Sequence, residues 1–426
     1  MPTQKPNILL ILADDHGYGD ISLHQGPHLQ TPHIDRIAAE GMHLTNFYAN
    51  SSVCSPSRAA LMTGRYPDRV GVPGVIRTHP ENNWGYFSQE AITLPDILHQ
   101  ANYTTALIGK WHLGLTPENH PRQRGFDHFR GFLGDMMDDY YTHLRHGHNY
   151  MRVEEQEIDP EGHATDLFSD WSADYIQAQA QQEQPFFLYL AYNAPHTPIQ
   201  PPQEWIDRVR QREPDASDQR VEYVALVEHM DAGIGRVVQA LEDSGQLDNT
   251  LVIYTSDNGG QLNVGATNGP YRGAKGQMYE GGIRVPACVR WPGHITAGSA
   301  SDQVALLMDL YPTVCQAAGI DIEHEIEGHS ILPTLQGEAQ DLDDRLLYWV
   351  RREGGPPFWG LCQHAVRQGD IKLLHNTPFD PLELFHLGED PQEQTDRTQT
   401  DPATTRQMAQ LLQQEIQRAG DIPWQR

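Results

Sequence analysis

Four apolar runs divide the N-terminal three quarters of the chain: Asn7–Leu12, Thr104–Ile108, Phe186–Tyr192 and Thr250–Tyr254. None alternates with polar residues, so each reads as a strand covered on both faces, the mark of a parallel sheet. Between them the apolar positions recur at helical spacing, as in Pro32–Glu40, Thr93–Gln100 and Val221–Glu242. Strand and helix signals in alternation predict an α/β fold, a large mainly parallel sheet sandwiched by helices. Around residues 335–345 (LQGEAQDLDD) the pattern lapses into an acidic linker. Beyond it come short strands at Leu346–Val350, His364–Arg367 and Ile371–Leu374, a Pro/Gly-rich insert (EGGPPFWG) and an amphipathic helix over Thr404–Ala419. This predicts two units: residues 1–340, and a small antiparallel sheet with a covering helix in residues 341–426.

Composition narrows the classes. With 426 residues, 38% hydrophobic and 20% charged, the chain can bury a large core. Its longest apolar runs, NILLILA and LVIY, are too short to span a bilayer, so no membrane association is expected. The start, MPTQKPNILLILADD, enters a strand without the features of a signal peptide. A cytoplasmic location is expected, or a periplasmic or secreted one if a leader has been removed. Cys54, Cys288, Cys315 and Cys362 show neither metal spacing nor a disulfide framework. A net charge of −27 without a basic stripe excludes nucleic acid as a partner. Lysine occurs only at positions 5, 110, 275 and 372, and the other 26 of the 30 basic residues are arginine.

In open α/β sheets, ligands bind beyond the carboxyl ends of the strands. Here each of the four strand ends carries chemistry. The first gives Asp14 and Asp15, the second Lys110 and His112, the third His196, and the fourth Asp257 and Asn258, with Lys275 following. Asp14, Asp15, Asp257 and Asn258 offer only oxygen, which suits Ca²⁺ or, less well, Mg²⁺, rather than Zn²⁺. A lone acidic pair is more often a turn or a cap; two oxygen pairs, each past a buried strand, point to a cation site. Lys110, His112, His196 and Lys275 fit an anion pocket with acid and base groups. In SSVCSPSRAALMTGRYP, Ser55 reads as an N-cap, Pro56 as the first helical residue and Gly64 as the close. Cys54 would then stand just outside a helix N-terminus, where anions are favoured. The residues alone leave it open whether Cys54 is reactive or a small buried hydrophobe.

These segments together resemble the type I sulfatases of the alkaline phosphatase superfamily, of arylsulfatase and N-acetylgalactosamine-sulfatase kind. The likeness rests on Cys54-Ser-Pro-Ser-Arg58 followed by TGRYP, and on LADDHGYGD, GKWHLG, SDNGG, AKGQMYEGGIRVP and AVRQGDIKLL…LELFHLGEDPQE. It spans essentially the whole chain. It implies a sulfuric ester hydrolase in which a formylglycine-generating enzyme oxidises Cys54 to an aldehyde that hydrates to a geminal diol. One hydroxyl attacks sulfur, and deprotonation of the other expels sulfate, a release step that a serine ester lacks. The resemblance further implies Ca²⁺ held by Asp14, Asp15, Asp257 and Asn258 with the modified Cys54 nearby. Arg58 would orient the diol, Lys110 and Lys275 neutralise the sulfuryl oxygens, His196 protonate the leaving alcohol, and His112 act as base in release.

The expected substrate is a sulfated mono- or oligosaccharide. The strong negative charge favours short or terminally sulfated chains over long polyanions. The alternatives are a phosphonate monoester or phosphodiester hydrolase of the same superfamily, and a non-catalytic binder of sulfated glycans. The loop GFLGDMMDDYYTHLRHGHNY offers no counterpart for a further sulfate contact seen in relatives. Within it, His143-x-x-His146-x-His148 has no cysteine partner, and a sugar-contacting loop is a better reading than zinc.

Overall fold

The computed structural model describes residues 5–26, 28–79, 83, 85–342, 344–353 and 361–419. Most of the Pro/Gly-rich insert, residues 354–360, lies outside that set. The four apolar runs form strands Asn7–Ala13, Thr104–Lys110, Phe186–Ala191 and Thr250–Ser256. They pair in parallel in the order Thr250–Ser256, Asn7–Ala13, Phe186–Ala191, Thr104–Lys110, and His128–Phe132 continues the parallel run. Short strands extend both edges, including Ala287–Arg290 and Met42–Leu44 on one side and Met151–Val153 on the other. These edge pieces are too short to carry a pattern in the sequence.

Register decides where the chemistry goes. Ala13 pairs with Ser256, Leu12 with Ala191, and Ala191 with Gly109, so the four strands end in one row. Gly109 is required there, since a Cβ would stand 1.9 Å from the Ala191 carbonyl oxygen. Side chains on successive strand residues face opposite layers. Ile8, Leu10 and Leu12 pack with Leu61, Ile97 and Val314, while Leu9, Ile11 and Ala13 pack with Ile34, Phe168 and Met230. Helices therefore cover both faces, as the continuous apolar runs require.

Residues Leu347–Glu353, Leu361–Gln368, Ile371–His375 and Glu383–His386 form the antiparallel C-terminal sheet. Met408 and Leu412 of helix Pro402–Arg418 pack in the cluster that includes Trp349, Leu373 and Phe385. The same cluster takes in Ala60, whereas Ala59 and Leu61 belong to the core of the large sheet. Helix Cys54–Thr63 is thus held between the two sheets, which explains why all ten of its residues are buried.

Candidate active site

The helix that carries Cys54 starts earlier than its sequence suggests. Val53, in extended conformation, is the N-cap, Cys54 is the first helical residue, and Ser55 does not cap. Pro56 is accommodated because N–H groups in the first turn have no intrahelical acceptor. The Ser55 hydroxyl instead accepts the Ile76 N–H at 3.1 Å. Gly64, at φ 66°, closes the helix as its spacing predicts. Cys54 therefore sits within the first turn and is 3% exposed.

Around Cys54 the strand ends converge. Its Sγ lies 3.3 Å from Asp14 Oδ1 and 3.9 Å from Asp15 Oδ1. One helical turn on, Arg58 Nε donates to Asp257 Oδ2 at 2.9 Å and Nη1 to the Lys110 carbonyl at 3.2 Å. Lys110 Nζ is ion-paired with Asp14 Oδ2, both side chains fully buried. Lys275 Nζ reaches Asp15 Oδ2 at 2.7 Å. Its loop is fastened next to the segment that leads into Cys54, because the Gly276 N–H donates to the Ser52 carbonyl at 2.8 Å. The candidate residues at the strand ends, with Arg58 and Lys275, all fall in this cluster or border it.

The two histidines are prepared differently. His112 Nε2 is 2.8 Å from the Ile76 carbonyl, so it carries the proton, and Nδ1 is buried without a partner. Burial, then Lys110 and Arg58, hold His112 well below the usual imidazole range. It is neutral with a free lone pair, and it sits at φ 59°, a left-handed strain seen at functional positions. His196 Nδ1 is 2.7 Å from the Thr197 carbonyl, which leaves Nε2 as the titrating nitrogen, 3.6 Å from Asp15 Oδ2. Burial and then Lys275 lower its pKa too.

A cation fits this shell. Asp14, Asp15, Cys54 and His196 bring ligand atoms within 4.8 Å of one another. Asn258 donates through Nδ2 to Asp15 Oδ1 at 2.8 Å, yet its own Oδ1 is buried with no hydrogen-bond partner. A buried amide oxygen without a donor suits a hard cation. Charge leads to the same point. The carboxylates of Asp14, Asp15 and Asp257 are balanced by Arg58, Lys110 and Lys275, so a divalent ion would supply the surplus that an anionic substrate needs. Burial opposes ionisation of Asp14, but Lys110, His196 and Arg58 hold it well below the usual carboxylate range. Burial, with Asp14 beside it, pushes Asp257 up to about 7, a cost that a bound cation offsets. The Cys54 thiol is pushed well up by burial and Asp14, so as a thiol it is a poor nucleophile.

The histidines of the 134–150 loop do not gather. His143 Nε2 bonds to the Gly162 carbonyl, His146 lies against His79, and His148 is exposed beside Tyr150. Of the described residues, the groups able to hold a metal are the one at Cys54 and one of His163, Asp166 and His229. In the second, His163 Nδ1 accepts the Thr165 N–H and Nε2 bonds to the Gln200 carbonyl, so both nitrogens are engaged.

Residues 6–320 match the Sulfatase family model, and residues 273–420 match the model described as N-sulphoglucosamine sulphohydrolase, C-terminal. The chain belongs to the sulfatase family. It is 37% identical over 436 residues to N-acetylgalactosamine-6-sulfatase of Homo sapiens, covering 92% of this chain and 81% of that one. The crystal structure of Ps i-CgsB in complex with k-i-k-neocarrahexaose matches with TM-score 0.88 and 33% identity, covering 96% of this chain and 92% of that one. Phosphonate monoester hydrolase of Agrobacterium radiobacter matches with TM-score 0.72 at 21% identity, over 97% and 96%, a likeness of fold alone. The protein is a type I sulfatase of the alkaline phosphatase superfamily and hydrolyses sulfuric esters. No helix among the described residues is long and apolar enough to cross a membrane.

Sequence reasoning missed the residues that aim this machinery. The Ile76 carbonyl that fixes His112 is a backbone atom and leaves no signal in the sequence. Tyr140, which holds the His196 turn, lies in a loop whose residue types gave no hint of its contact.

Proposed function

We propose that this sulfatase removes sulfate from a sulfated mono- or oligosaccharide, with Cys54 converted to formylglycine and Ca²⁺ as its metal. The observation that carries the reading is Cys54 at the focus of two lysines, an arginine and three carboxylates, gathered from several strand ends, the Cys54 helix and the Lys275 loop. The names of its relatives support a saccharide substrate. Formylglycine at position 54, once hydrated, supplies one hydroxyl to attack sulfur and a second whose loss of a proton releases sulfate. Asp14, Asp15, Asp257 and Asn258, beside residue 54, hold Ca²⁺, whose chemistry is to polarise sulfate oxygens and acidify the attacking hydroxyl.

The chain's own groups do the rest. Arg58, locked on Asp257, orients residue 54 from one turn away. Lys110 and Lys275 present compact charges to the sulfuryl oxygens as negative charge builds there. His196, entering as the imidazolium with its Nδ1–H on Thr197, delivers its Nε2 proton to the departing alcohol, and His112 Nδ1 accepts one in the release step. Lys275 also lines a cavity of about 470 Å³ with Val53, Gln261, Asn263 and Arg351, room for part of a sugar beside the reacting sulfur.

The test is kinetic. The metal-loaded, modified enzyme is assayed on 4-nitrophenyl sulfate, on a nitrophenyl phosphodiester and on a panel of sulfated mono- and disaccharides, before and after chelation. The reading expects preference for sulfate esters, turnover of at least one sugar sulfate, and loss of activity on chelation that Ca²⁺ restores. Preference for the phosphodiester, or full activity after chelation, contradicts it.

A further inference from the structure

Tyr140 is buried in the loop that the sequence suggests for sugar contact. Its hydroxyl stands 2.8 Å from the Asn193 carbonyl and 2.8 Å from the His196 carbonyl. Those two oxygens bracket the turn closed by the His196 N–H on Asn193 O at 2.9 Å. A single O–H shared between them ties both ends of the turn that presents His196. The same segment grips the chain just beyond. The Tyr140 N–H donates to Gln200 Oε1 at 2.8 Å, and Gln200 Nε2 donates to Asp139 Oδ2 at 2.7 Å. The ring of His163 stacks on that of Tyr140 with centroids 4.9 Å apart, while its Nε2 bonds to the Gln200 carbonyl. From the sheet side, the Asp14 N–H holds the Ala194 carbonyl at 3.1 Å. The backbone around His196 is therefore fixed from both flanks, and its Nδ1 is committed to Thr197.

We propose that Tyr140 is a positioning residue that aims the Nε2 proton of His196 at the leaving oxygen. This rests on the reading of His196 as the acid. The donor is the imidazolium of His196, whose Nδ1–H stays on Thr197. As the sulfur–oxygen bond to the alcohol breaks, its electron pair goes to the alcohol oxygen, the Nε2 proton follows, and His196 is left neutral. A sugar alkoxide needs that proton, whereas a nitrophenolate departs without it. The contribution of Tyr140 consequently scales with the basicity of the leaving group, which a general structural role would not do.

Tyr140→Phe removes the hydroxyl and keeps the ring stack. We expect kcat/KM on the best sugar sulfate to fall by about 10- to 100-fold, as for a misplaced catalytic group, with a fall on 4-nitrophenyl sulfate at least ~10-fold smaller. His196→Ala should show the same preference more strongly, and Gln200→Ala, which loosens the same turn, more weakly. Equal falls on both substrates for Tyr140→Phe, or no fall on the sugar sulfate, overturn the proposal. If His196→Ala shows no leaving-group preference, the acid assignment fails and this proposal with it. Continued hydrolysis of 4-nitrophenyl sulfate in that case keeps the failure apart from failure of the sulfatase reading.

Discussion

At Lys110 the ammonium is fully buried against Asp14, and at Lys275 it pairs with Asp15 at 2.7 Å. A guanidinium at either position would have to spread a planar fork where a compact charge fits. Lys110→Arg and Lys275→Arg should each lower kcat by roughly 100-fold or more, the scale of losing one preorganised charge contact. Steady-state rates on 4-nitrophenyl sulfate check this, and near-normal rates in both variants would contradict the compact-charge argument. Scarcity made these two lysines legible in the sequence, since a chain with 26 arginines keeps few ammonium groups. Asp14, Asp15, Asp257 and Asn258 were legible because each follows a buried strand. The cap at Val53 was not, because several residues in SSVCSPS could begin a helix and packing between two sheets chose among them.

The C-terminal sheet does more than cover the molecule. Lys372, another of the rare lysines, is buried with Nζ 2.9 Å from Glu280 Oε1 and 2.8 Å from Glu393 Oε1. Glu280 belongs to the short helix that ends the Lys275 loop, and its N–H is held by Glu393 Oε2 at 2.6 Å. Arg272, at the start of that loop, donates to the Glu393 carbonyl at 2.8 Å. The loop is thus anchored on the C-terminal sheet at both ends. Lys372→Met leaves two buried carboxylates without their cation, so it should cost about 3–5 kcal/mol. Thermal or denaturant unfolding checks this; a change below about 1 kcal/mol would mean that the cluster is dispensable. The strands that built this anchor were largely visible in the sequence, but Glu383–His386 was not marked, being four residues with polar ends. The pairing of Lys372 with Glu280, ninety-two positions apart, is a product of tertiary packing that no local pattern encodes.

Over the whole molecule, the parallel sheet was the most legible feature, because strands buried on both faces must be apolar throughout. The four central strands run one or two residues beyond their apolar cores or stop one short, and their order follows from the crossovers rather than from any residue. That order brings Asp14, Lys110, His196 and Asp257 to one rim, with Cys54 delivered by a helix held between two sheets. On the proposed reading, burial of all ten residues of that helix requires oxidation of Cys54 before packing, so folded unmodified enzyme should resist later conversion. The central claim is that residue 54 acts as formylglycine rather than as a thiol. The decisive measurement pairs peptide mass analysis of residue 54 with the turnover number of the same preparations, expressed with and without a formylglycine-generating enzyme. The account predicts turnover proportional to the converted fraction, reaching background when conversion is nil. Full sulfatase activity in a preparation whose Cys54 is an alkylatable thiol would contradict it.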